Sequence, residues 1–141
     1  MKNICYTSKD TAQIIVSREN QGLGHLMPDL RGDFFMFCAS VAYPVQEGGR
    51  FDFEYFSTHH IPMFVRFLGN NCVRYEVHKY LASPGAPAPT YLGAAYMWLQ
   101  SGEAFGAALA QHGDAIYGDI PRFTDIEPVR QWSEVVEAGD N

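Results

Sequence analysis

With 141 residues the chain has the length of one domain, able to bury roughly two-thirds of the surface that its unfolded form exposes. Sixteen acidic against ten basic residues give a net charge of −6, and the scattered Lys and Arg exclude a phosphate-binding groove for nucleic acid. Cys5, Cys38 and Cys72 show no close-paired metal spacing and are odd in number, and no segment approaches the roughly 20 apolar residues of a membrane span, so a secreted disulfide framework, a zinc ribbon and a membrane protein are excluded.

Residues 1–32 are the least regular part: short β-prone pieces at 4–7 and 13–17 flank polar residues, and Gly22, Gly24 and Pro28 break the pattern. They form an N-terminal arm, with one domain over 33–137. No charged segment followed by an apolar core opens the chain, so the expected location is the cytoplasm. Residues 34–45 are a long apolar run rich in aromatic and β-branched side chains, closed by Gln46-Glu47-Gly48-Gly49, which predicts a strand covered on both faces. Asp52 caps a helix that runs to Leu68. Its apolar positions Phe53, Phe56, Met63, Phe64, Phe67 and Leu68 form one stripe, and at 100° per residue His60 falls within about 20° of Phe53, facing inward. Pro62 lacks the amide that would bond the carbonyl of Thr58, so a kink or a helix in two pieces is expected.

Residues 73–81 alternate, with Val73, Tyr75, Val77 and Leu81 on one side and charged groups opposite, as in a strand with one wet face. Pro84, Pro87 and Pro89 make the next stretch a loop, and 91–99 is the third strand. Ser101 caps a second helix with the stripe Phe105, Ala108, Leu109 and His112; Gly113 stops or turns it, and 114–118 can add one more turn. Residues 128–136, with Trp132, close the chain as a strand. The order β-α-β-β-α-β defines an α+β, ferredoxin-like antiparallel sheet with both helices on one face. The first and third strands are apolar on both faces, and two helices shield only one. A symmetric homodimer packing sheet on sheet is the simplest cover.

Several motifs resemble the EthD family of dimeric α+β barrel proteins over residues 34–136. They are Tyr43-Pro44, Glu47-Gly48, Arg50-Phe51-Asp52, Tyr55-Phe56, Thr58-His59-His60-Ile61-Pro62, Ala110-Gln111-His112 and, most specific, Gly118-Asp119-Ile120-Pro121-Arg122-Phe123-Thr124-Asp125-Ile126-Glu127-Pro128. The resemblance implies a ferredoxin-like protomer, a dimer that closes a barrel, and a cavity between helices and sheet for a small, largely apolar molecule. The family histidine two residues before the helix proline corresponds to His60. Isomerase relatives place a cysteine on the third strand before an aromatic; here Met97 precedes Trp98, which speaks against thiol-assisted isomerisation.

Candidate catalytic residues are His60, His112 and Asp119. An imidazole with an unperturbed pKa of about 6.5 suits proton transfer near neutrality, and burial lowers it; the alternative is a core imidazole tied to a backbone carbonyl. His59, a third of a turn away, faces solvent or a loop. His112 ends the inner stripe, where a helix C-terminus favours a cationic ring without any catalysis. Asp119, within the most specific motif, either orients a histidine or caps the turn. Tyr43, Tyr96 and Trp98 are candidate donors to a ligand carbonyl, with Phe56 and Phe64 as apolar walls. No i, i+4 histidine pair or Glu-x-x-His occurs, and the glycine pairs lack a phosphate-cradle context, so neither metal nor cofactor is expected.

These residues point to a small cofactor-independent isomerase, dehydratase or cyclase that moves a proton with His60 on an apolar carbonyl-bearing or aromatic-derived metabolite. Alternatives are a non-catalytic accessory or binding protein for a hydrophobic intermediate, a cofactorless monooxygenase of quinone-type substrates, and, by fold analogy alone, a haem-binding protein.

Overall fold

The computed structural model describes residues 36–140, so the arm expected over 1–32 lies outside the described residues. Strands β1 (Phe37–Pro44), β2 (Cys72–Lys79), β3 (Tyr91–Leu99) and β4 (Val129–Glu134) form one sheet in the order β2-β3-β1-β4, with every neighbouring pair antiparallel. Helix α1 spans 53–68 between β1 and β2, and α2 (Gly102–Asp119) lies between β3 and β4. This is the expected ferredoxin-like α+β chain order.

Register decides which side chains meet the helices. Ala39 pairs with Met97 on one side and Trp132 on the other, and Val41 with Ala95 and Arg130, so these residues share one face of the sheet. Phe105, Leu109 and Ile116 of α2 and Leu68 of α1 pack on Ala39, Met97 and Leu99, while Phe56 and Ile61 of α1 pack with Tyr43 and Ala95. Both helices therefore cover the same face. Cys38, Ser40 and Ala42 pair with Trp98, Tyr96 and Ala94 and point to the other.

Asp52 accepts from the Tyr55 amide and Ser101 from the Ala104 amide, so both expected caps form. Helix α1 comes in three pieces: an α turn at Phe53–Tyr55, a π-helical stretch at Phe56–His60, and an α-helix at Ile61–Leu68. The proline explains the middle piece. With no amide at Pro62 to hold the α ladder, the Ile61 amide reaches back to the Phe56 carbonyl, and the hydroxyls of Ser57 and Thr58 donate to the carbonyls of Phe53 and Glu54 at 2.9 and 2.6 Å. Gly69, at φ 57°, ends the helix in a conformation that only glycine adopts without strain.

Two expectations need correction. The inward side of β2 is largely open, with Val73, Tyr75 and Leu81 at 45%, 44% and 77% exposure. This strand is the sheet edge, a bulge between Cys72 and Arg74 takes Val73 out of the alternation, and Leu81 lies past the strand end. Nor does Gly113 stop α2, which runs on to Asp119. Gly113 lies on the buried stripe with Phe105, Leu109 and Ile116, so packing outweighs its poor helix propensity of about 1 kcal/mol. Ala108 and His112 only flank that stripe. A second glycine admits the helix itself: a Cβ on Gly93 of β3 would overlap Phe53 Cζ and lie 2.7 Å from the His78 carbonyl oxygen.

Candidate active site: a buried histidine held by Asp119

Two motifs far apart in sequence form one clasp beneath α1. The Arg50 amide donates to Asp125 Oδ1 at 2.8 Å, and its guanidinium donates to the carbonyls of Pro121 and Arg122. Thr124 Oγ1 donates to the Arg50 carbonyl at 2.7 Å and accepts from the Ile126 amide, and the Asp52 amide donates to the Phe123 carbonyl at 2.7 Å. The clasp presses Phe123, fully buried, against Tyr43, Phe51, Phe56 and the ring of His60, with 4.6 Å between the His60 and Phe123 centroids. Its other effect is to fix the end of α2, where Asp119 sits.

His60 closes the π-helical stretch and is 3% exposed, its ring stacked over Phe56. Its Nδ1 lies 2.9 Å from Asp119 Oδ2, and the Tyr55 hydroxyl donates to Asp119 Oδ1 at 2.8 Å. A carboxylate at the C-terminal end of a helix meets the negative end of the dipole and needs such donors. Burial pushes the Asp119 carboxyl upward, but the hydrogen bonds from His60 and Tyr55 outweigh it and hold it below its ordinary 3.8. Arg122 adds a distant, exposed charge at 3.6 Å that solvent largely screens. Burial lowers His60 below its ordinary 6.5, against the opposing pull of Asp119. At neutral pH the pair is therefore a neutral imidazole donating Nδ1–H to an ionised carboxylate, a hydrogen bond rather than an ion pair. Nε2 carries the lone pair, and no hydrogen bond from it is formed among the described residues.

His60 borders a cavity between sheet and helices that is open to solvent at its mouth. Tyr43, Phe64, Met97, Phe105 and Trp132 are among its mostly apolar walls. The structure thus brings His60, Tyr43 and Phe64 to one cavity and sets Asp119 directly behind the histidine. Asp119 makes no side-chain capping bond to the turn; its carboxylate is bonded to the histidine instead. Phe56 lies behind His60, outside the cavity lining. His112 is in mid-helix rather than at the C-terminus, stacked on Phe67 at 4.2 Å, and does not line the cavity. Tyr96 and Trp98 are on the opposite sheet face, beside the Arg74, Glu76 and His78 cluster. His59 is exposed, bonded to Thr58 and stacked on Tyr55.

Sequence reasoning missed Tyr55, Phe123, Arg130 and Trp132. Phe123 and Tyr55 stood inside quoted motifs with no reason to single them out; Arg130 and Trp132, two apart on a strand, carried a legible signal once the inward side of β4 was known. Among the described residues no group of three or more His, Cys, Asp or Glu is placed to hold a metal, and no helix is long and apolar enough to cross a membrane.

A four-stranded antiparallel sheet with two helices on one face and a histidine-carboxylate pair beside an open cavity make this a ferredoxin-like α+β protein. Among solved structures, an EthD-like protein from Ralstonia eutropha JMP134 is 43% identical, with a TM-score of 0.68 over 73% of this chain and 94% of that one. The chain belongs to the EthD family. An ethyl tert-butyl ether d (EthD) family protein from Bacillus halodurans C-125, 18% identical with a TM-score of 0.54 over 70% of this chain and 97% of that one, shares the fold. HapK from Hahella chejuensis matches at 17% identity and a TM-score of 0.47, over 74% of this chain and 97% of that one. No family model and no curated protein matches the chain.

Proposed function

We propose that the protein is a small cofactor-independent enzyme of the isomerase, dehydratase or cyclase type, acting on an apolar carbonyl-bearing or aromatic-derived metabolite. The observation that carries the reading is His60: buried, neutral near pH 7, bonded through Nδ1 to an ionised Asp119, and set at an apolar cavity. In this reading Nε2 removes a proton from carbon α to a carbonyl, or from a hydroxyl, and the imidazolium formed is stabilised by the carboxylate behind it. The same nitrogen returns the proton at a second position, or to a departing hydroxyl. Asp119 is a positioning residue that fixes tautomer and ring plane. The apolar walls exclude water and hold the substrate against the base. The test is to compare wild type with His60→Ala on enolisable apolar carbonyl compounds, measuring binding and turnover separately; unchanged turnover would leave only the binding-protein reading.

The same proposal includes a homodimer. Its support is the helix-free sheet face, where Tyr96 and Trp98 are half-buried and Val129 is 40% exposed. A second copy packed face to face would cover them. Sedimentation at micromolar concentration is expected to give about twice 15.8 kDa, and a monodisperse monomer would contradict it.

A further inference from the structure

The floor of the cavity is made by β1 and β4, and two of its side chains are used by nothing described so far. Trp132 Nε1 is buried and has no hydrogen-bond partner among the described residues. Buried polar groups are nearly always paired, so an orphaned donor on a residue that lines the cavity, its ring edge-to-face with Phe105 at 4.8 Å between centroids, asks for an acceptor. Two residues earlier on the same side of β4, about 7 Å away along the strand, stands Arg130. Its side chain is only 19% exposed and also lines the cavity, with its guanidinium carbon 6.0 Å from the Tyr117 ring centre. Its carboxylate partner, Glu127, is 3.5 Å away on a side chain that is 88% exposed, a contact largely screened by water. Indole and guanidinium are donors only; neither can accept a hydrogen bond. The cavity therefore has a base at one wall, His60, and two donor-only side chains on β4, one of them cationic.

We infer that Arg130 and Trp132 form a subsite for an anionic oxygen, so that the ligand of this cavity is an apolar organic anion whose charged oxygen lies on β4 while its reacting end faces His60. The inference deepens the proposed function and rests on the same cavity, but the subsite binds whether or not His60 catalyses. Charge-assisted hydrogen bonds are roughly twice as strong as neutral ones, which is what lets this floor select an anion over a neutral molecule of the same shape.

The probes are 2-naphthoate and its neutral counterpart 2-naphthalenemethanol, titrated into the full chain by calorimetry and followed on the indole N–H resonances, with Trp132 assigned through Trp132→Phe. The acid is expected to bind about 10-fold or more tighter than the alcohol, and to shift the Trp132 resonance. Arg130→Gln is expected to abolish the preference while leaving alcohol binding intact, and Arg130→Lys to keep part of it. Equal binding of the two probes, no binding of the acid at millimolar concentration, or a Trp132 resonance unmoved by bound acid overturns the subsite. The indole readout uses the wild-type chain and does not depend on any variant folding. If the anion preference fails but His60→Ala still loses turnover, only the ligand class falls; if the preference holds and turnover is untouched, only the catalytic reading falls.

Discussion

Replacing His60 with alanine is expected to lower turnover by about 10²-fold or more, with ligand binding largely kept. A positioned general base contributes about 10² to 10⁴ in rate, and among the described residues His60 is the one histidine lining the cavity. In the proposed reading the ligand is held by the apolar walls and the floor of the cavity, neither of which the substitution removes. Asp119→Asn is expected to act in the same direction while preserving size. The amide cannot stabilise the imidazolium, and its own N–H can face Nδ1, turning the proton to Nε2 where the lone pair is needed. Because His60 is 3% exposed, each variant needs a folded circular-dichroism spectrum before its rate is read. An equal rate in folded His60→Ala removes the enzyme reading.

Phe123→Ala is expected to cost about 3–5 kcal/mol, the range for truncating a buried aromatic. The whole stability of such a domain is only about 5–15 kcal/mol, so this is the largest loss expected from a single clasp residue. Phe123 is fully buried where the clasp, the first strand and the π-helical stretch meet, touching Tyr43, Phe51, Phe56 and His60. Urea denaturation monitored by circular dichroism measures the cost; a loss under about 1 kcal/mol would mean that the clasp does not support the core. A second effect is expected in the same variant. Opening the wall beside His60 restores its hydration, so its pKa should rise back toward 6.5.

Much of this architecture was readable from the chain. Caps at Asp52 and Ser101, the alternation over 73–81 and the apolar runs of β1 and β3 are local patterns, and local patterns set the chain order. Pro62 announced a disturbance in α1 because a missing amide is a covalent fact, although only the folded backbone shows it as a π-helical stretch. What sequence could not supply was the cover of each face. Tyr96 and Trp98 alternate on a strand whose two sides are equally apolar, so periodicity alone did not say which side carries the helices. Gly113 looked like a stop because helix propensity is local, whereas its burial in the fold is not. For Asp119 the two readings, capping or orienting, were separable only by the third dimension: the residue that bonds it lies 59 positions away.

Acid should weaken the protein through the same pair. His60 has its folded pKa below its unfolded value, so as pH falls from 6.5 the unfolded chain takes up a proton that the folded one resists, and stability declines until the folded ring protonates too. Asp119, also depressed, adds a second loss in the same direction below 3.8.

The central claim is the protonation state of one ring, and imidazole nitrogen NMR measures it directly. Titrating the protein with pH, with the five histidines told apart through His60→Gln, is expected to show His60 as the Nδ1–H tautomer at pH 7, protonating with a midpoint below 6.5. An Nε2–H tautomer, or a midpoint at or above 6.5, would contradict a neutral base held by Asp119 with its lone pair toward the cavity.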